Sequence, residues 1–243
     1  MKILGICSYK GTNYYGWQKQ VGFISVQSKI EEVLSQIYDQ QIVIYGSGRT
    51  DAGVHALKQY FHFIIDKDKD LSQLVYAMNK MLPEDIQILS LEKVDEDFHA
   101  RYSAKRKIYE YHILNRNKNP FIYDQAWLYP QTFDLKLFQE ALNKFVGEHC
   151  FQDFTSKEED ENNFVRAIFS IDVKKDDDMI KIIFEGNGFM RYQIRNMVGT
   201  ALVVATGKES LAFIDRHLDS KKREIVAYKS PACGLYLVDV LYK

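Results

Sequence analysis

The chain has 243 residues, 46% of them apolar, with 32 Lys and Arg against 33 Asp and Glu for a formal net charge of −1. That composition is globular rather than disordered or collagenous, and it offers no overall positive charge to draw in a polyanion. Near the start the only apolar run is 3–7, shorter than a signal-peptide core. Nothing approaches the ~18 residues of a membrane span, so the expected compartment is the cytoplasm, with no membrane partner.

Taken in chain order, β-branched and aromatic runs predict strands at 2–9, 41–46, 58–65, 86–94, 105–114, 164–174, 180–185 and 234–242. Apolar residues at helical spacing predict helices at 25–38, 70–82, 134–146 and 190–206, with Ser25, Asp70 and Asp134 as N-caps and a further helical stretch near 210–218. The order β-α-β-β-α-β thus occurs twice. The expected fold is α+β: two ferredoxin-like halves, 1–98 and 99–243, in a mixed, mostly antiparallel sheet with helices on one face. The second half is the longer, with loops at 115–133 and 149–163. The open face of such a sheet is a common platform for nucleic acid.

Charge is uneven along the chain. Between His99 and Lys118, Arg101, Lys105, Arg106, Lys107, Arg116 and Lys118 stand against Glu110 alone, whereas 153–178 holds nine acids and four bases. The neutral total therefore hides opposed segments, and the basic one fits either a phosphate-tracking groove or an ordinary solvated face. Cys7, Cys150 and Cys233 are odd in number and far apart, which predicts buried reduced thiols rather than disulfides or a zinc site.

The densest candidate site is the run from Gly46 to Ala56, GSGRTDAGVHA, directly after a predicted strand. Its three glycines allow close backbone approach, but it lacks the spacing of a phosphate-binding loop. Arg49 and Asp51, two apart, would point the same way in an extended stretch. They form either a structural ion pair or an ionised carboxylate fit to act as a nucleophile. His55, His62 and His99 beside Asp51 show no metal-ligand spacing, so no metal is expected. Tyr109 and Tyr111 share one face of the basic strand, for cross-strand packing or for contact with a base or ribose. Arg191 and Arg195 are four apart at the start of the fourth helix. Arg191 there opposes the helix dipole, which hints at an anionic partner or an acidic neighbour.

These residues resemble the family of bacterial tRNA pseudouridine synthase A over nearly the whole chain. The resemblance rests on Gly11-Thr12-x-Tyr14-x-Gly16-Trp17-Gln18-x-Gln20, Gly48 to Ala56, Phe98-His99-Ala100-Arg101 with the Tyr109/Tyr111 strand, Gly188-Phe189-Met190 leading to Ile194 to Gly199, and Pro231-Ala232-x-Gly234-Leu235-x-Leu237. It implies isomerisation of uridine to pseudouridine at positions 38, 39 and 40 of the tRNA anticodon stem-loop, by a homodimer with an RNA-binding cleft and without cofactor or metal. Asp51 would be the nucleophile and Arg49 and Arg195 its charge partners, with Arg49 filling the space left by the flipped base. Tyr109 would stack on the uracil and serve proton transfer, and Leu235 would wall the pocket. Arg101, Lys105, Lys10 and the loop 10–20 would grip phosphates.

Lys10 stands where the family usually has Asp, Cys150 and Asp153 interrupt its pattern at 147–154 in a loop expected near RNA, and Lys107-Ile108 trims the charge before Tyr109. The rival readings are a paralogue acting on another RNA such as rRNA, and a non-catalytic RNA-binding module. The presence of Asp51 discriminates against the module. An Asp-dependent hydrolase lacks a second positioned carboxylate.

Overall fold

The computed structural model describes residues 1–66, 69–116, 118–156 and 163–243. In chain order the elements are β1 (Lys2–Tyr9), α1 (Val26–Tyr38), β2 (Tyr45–Gly46), β3 (His55–Ile64), α2 (Leu71–Met81), β4 (Ile86–Val94), β5 (Arg106–Leu114), β6 (Trp127–Leu128), α3 (Leu135–Asn143), β7 (Gly147–Cys150), β8 (Val165–Asp176), β9 (Met179–Gly186), α4 (Gln193–Ala205), α5 (Leu211–Leu218) and β10 (Leu235–Leu241). The α+β class is as predicted. No helix among the described residues is long and apolar enough to cross a membrane.

The chain divides into two compact units, one of residues Met1–Lys105 with Tyr236–Lys243 and the other of Arg106–Leu235. In the first, β1 pairs antiparallel with both β3 and β4, while β2 pairs antiparallel with β3 and β10 pairs parallel with it. Phe61, Phe63, Ile3 and Cys7 are fully buried with Ile30 and Leu34 of α1. Burial pushes the Cys7 thiol up, away from the reactive thiolate. Cys150 and Cys233 are free thiols as well, but only half-buried.

The expected strand 41–46 shrinks to Tyr45–Gly46, and side chains explain the loss. Ile42 N–H donates to Ser35 Oγ and Ile44 N–H to Glu31 Oε1, while Gln27 Nε2 donates to Ile44 O. The backbone before β2 is thus held by α1 instead of a neighbouring strand. The three predicted caps are present: Ser25 forms a capping box with Ser28, and Asp70 and Asp134 each accept two first-turn N–H groups.

In the second unit, β9 lies between β5 and β8, β7 pairs with β8, and β6 adds to β5. Helices α3 and α4 pack together, burying Phe138, Leu142, Met197 and Val198 completely. Two departures from expectation have local causes. Helix α4 starts at Gln193 instead of 190 because Tyr192 sits in the left-handed region at φ 64°. Strand β7 begins just past the expected helix 134–146 and runs into the expected loop 149–163, since 3-10 turns at Phe145 and Val146 stop α3 and Gly147 turns the chain at φ 114°.

The interrupted motif at 147–154 is not a surface loop. Phe151, Asp153 and Phe154 are fully buried, and Asp153 accepts from Glu224 N–H and pairs with buried His217 at 2.8 Å. Of the acid-rich segment, Glu158, Glu159, Asp160 and Glu161 lie outside the described residues.

Candidate active site

In the first unit the loop carrying Asp51 interlocks with the loop 10–20. Trp17 N–H donates to Thr50 O at 3.2 Å, Gly53 N–H to Tyr14 O at 3.2 Å, and Gly11 N–H to His55 Nδ1 at 3.0 Å. Tyr9 OH and Thr50 Oγ1 lie 2.8 Å apart. The glycines of the first loop are the sequence signal for this interlock: a Cβ on Gly11 would stand 1.9 Å from Val54 O, and one on Gly16, at φ 83°, 2.3 Å from Thr50 O. Only glycine permits that approach. A Cβ on Gly46 would likewise strike the indole of buried Trp17.

The flank toward β3 is also tied down. Ser47 N–H donates to Tyr60 O, Ser47 Oγ to Gln59 Oε1, and Gln59 Nε2 to Gly48 O. Asp51 itself is half-buried and its carbonyl accepts Val54 N–H at 3.1 Å, closing the turn. A carboxylate on so constrained a backbone is pre-oriented, which suits attack on a bound substrate.

Arg49 is exposed, and among the described residues no carboxylate forms an ion pair with it. The structural Arg49–Asp51 pair considered from spacing is therefore absent. Lys10 is exposed at the end of β1, its N–H on Asp85 O. Arg101 lies exposed in a turn with its guanidinium 5.7 Å from the centre of the Tyr102 ring. Lys105, also exposed, has its N–H on Leu241 O. Arg101 and Lys105 are not joined to the Asp51 loop by any hydrogen bond or ion pair among the described residues.

In the second unit Arg195, Tyr109 and Leu235 are held by a second set of contacts. Arg195 Nε donates to Ser230 O at 2.8 Å while Ser230 N–H donates to Arg195 O at 3.0 Å. One residue on, Pro231 O accepts from Tyr111 OH at 2.7 Å. Burial drives the Tyr111 hydroxyl far above the usual phenol range, so it remains a donor; the Ser230 hydroxyl and the Arg195 charge oppose that shift. Tyr109 is buried, its ring edge-on to Phe189 with centroids 5.3 Å apart. Leu235 is buried where the Pro231 segment leads into β10. Gly234 lets that turn press on Tyr111, since a Cβ there would lie 2.8 Å from its ring.

Several residues that sequence reasoning passed over do this holding, Tyr9, Gln59 and Tyr60 in the first unit and Ser230 in the second, together with His55 and Tyr111, which it singled out for other roles. The close glycine contacts pointed to the Asp51 loop, but no local pattern marks a serine carbonyl as the seat of an arginine.

The first unit thus carries a tethered carboxylate loop, and the second an arginine fixed to an aromatic-lined turn. A family profile described as tRNA pseudouridine synthase matches residues 6–103 and 141–243. The tRNA pseudouridine synthases A of Streptococcus pyogenes serotype M49 (strain NZ131) and of serotype M1 are each 39% identical over 240 residues, covering 97% of this chain and 96% of the relative. Among solved structures, a Cbf5-Nop10-Gar1 complex aligns with 82% of this chain and 53% of its own chain, at 10% identity and a TM-score of 0.37. The chain belongs to the tRNA pseudouridine synthase family and is by class an isomerase.

Proposed function

We propose that this protein converts uridine to pseudouridine at positions 38, 39 and 40 of the tRNA anticodon stem-loop, in the cytoplasm and as a homodimer. The observation that carries the reading is that Asp51, within the matched stretch, sits half-buried on a loop tied down on both flanks. The N1–C1′ bond of the target uridine breaks, the uracil turns within the site, C5 bonds to C1′, and the C5 proton is lost as N1 gains one. Composition is unchanged, so no external electron donor or acceptor is required.

Asp51 is the nucleophile in this reading. Arg195 is its charge partner, and exposed Arg49 is suited to filling the stack vacated by the flipped base, a step costing roughly a few kcal/mol. Tyr109 stacks on the uracil and serves proton transfer, and Leu235 forms the apolar wall. Lys10, Arg101 and Lys105, all exposed, contact phosphates. The division into halves 1–98 and 99–243 belongs to the same reading, with the dimerisation elements in the second half.

Incubating the protein with unmodified tRNA and mapping pseudouridine tests this directly. We expect product at 38–40 from the natural chain, and a loss of at least about a thousandfold in Asp51→Ala with tRNA binding largely retained, as for removal of a nucleophile. Comparable turnover by Asp51→Ala overturns the nucleophile assignment. Product in rRNA with none in tRNA transfers the reading to a paralogue.

A further inference from the structure

At the start of α4 three cations converge on one aromatic ring. The Arg191 guanidinium lies 4.8 Å from the Tyr192 ring centre, that of Arg195 5.2 Å, and Lys229 Nζ 4.3 Å. All three charges therefore fall within about one Debye length of each other at 0.1 M salt, ~10 Å. Arg191 and Lys229 are exposed, and among the described residues neither has a carboxylate partner.

The arrangement is built in. Arg191 donates to Tyr192 OH at 2.9 Å, its carbonyl is held by Thr155 Oγ1, and Arg195 is clamped to Ser230. Lys229 reaches the ring because the 228–230 segment lies hard against α4 at Gly199, where a Cβ would stand 2.5 Å from Tyr228 O. The helix adds charge of the same sign: α4 has 13 residues, no acid in its first turn, and no side-chain cap at its N-terminus. Each cation–π contact at an exposed site offsets only about 0.5–1 kcal/mol of the mutual repulsion. An anion placed between exposed Arg191 and Lys229 would offset the remainder of theirs, with the helix dipole in its favour.

We propose that Arg191 and Lys229, gathered beside Arg195 on Tyr192 at the N-terminus of α4, bind a backbone phosphodiester of RNA. The inference rests on the RNA-modifying function proposed above. With three cations over it, the ring collects charge and does not offer a face for stacking, so the site reads phosphate and not base.

The test uses the intact protein and a uridine-free RNA hairpin of anticodon-stem size, with affinity followed by fluorescence anisotropy from about 50 to 200 mM salt. Arg191→Gln and Lys229→Gln, both at exposed positions, should each lower the salt slope by about one and the double variant by about two, with at least a tenfold loss of affinity. Unchanged thermal melting excludes misfolding. A double variant with the natural slope and affinity overturns the proposal. If slope and affinity fall as expected but the natural protein forms no pseudouridine in tRNA, the phosphate site stands and the proposed reaction falls; if it forms pseudouridine and the variants bind normally, the reverse holds.

Discussion

His62 Nδ1 accepts Ala100 N–H at 3.2 Å, so the ring serves the fold only while that nitrogen is unprotonated. Burial, the neighbouring His99 and Lys2 lower its pKa from the ordinary 6.5 to about 4. His99, ring to ring with it at 4.6 Å, is shifted the same way, chiefly by its own burial. The unfolded chain takes up these protons first. His62's share of stability is therefore complete above about pH 6.5, declines as pH falls, and is lost by about pH 4. Denaturant titrations across this window should show a drop on the order of 1–2 kcal/mol attributable to His62, after allowance for screening by water. His62→Gln should flatten the slope over the same window. An identical slope in that variant would place the proton uptake elsewhere.

Helix α5 is fastened in part by a buried pair. His217 on α5 meets Asp153, whose other oxygen caps Glu224 N–H and whose carbonyl takes Val226 N–H, so one side chain and its backbone order three segments. Asp153→Ala leaves a buried imidazole and a part-buried amide without that acceptor and should cost about 3–5 kcal/mol in chemical denaturation. Elements of this kind were only partly legible. The caps at Ser25, Asp70 and Asp134 could be read because each acts on N–H groups two or three residues away. Asp153 read as a motif departure on an RNA-facing loop because its partner is 64 residues distant. The helix start displaced by Tyr192 and the strand shortened before Tyr45 failed for the same reason: apolar spacing records burial, and neither a left-handed residue nor backbone bonded to side chains alters it. The Asp51 loop was visible in its glycines, while the residues that hold it were not.

At the scale of the molecule, the net charge of −1 averages over local differences, since Arg191 and Lys229 gather on one ring despite it. Long-range closure matters more. Asp239 on β10 pairs with Lys58 at 2.7 Å and accepts from Tyr60 OH at 2.8 Å, across 181 and 179 residues of sequence. Burial would raise the Asp239 pKa, but the bonds from Lys58, Tyr60 and Val240 N–H hold it below the usual carboxylate range. Tyr60 also supplies the carbonyl for Ser47 N–H beside the Asp51 loop. Asp239→Ala should therefore lower hydrogen-exchange protection in both 55–64 and 46–54, by about 1–3 kcal/mol of opening free energy. An effect confined to β10 would refute that link.

Because β10 follows the whole of Arg106–Leu235 in the chain yet completes the sheet of the other unit, the order of synthesis matters. Residues 55–64 leave the ribosome 181 positions ahead of the partner that locks Lys58, a wait on the order of ten to forty seconds at ordinary elongation rates. Throughout that interval the nascent chain carries Asp51 without the strand that secures its neighbours. Premature termination anywhere in the interval releases a fragment bearing Asp51 on an unfinished sheet. Assembly of the carboxylate loop is thereby coupled to translation through residue 239, and only chains that have passed that point hold it in its final setting.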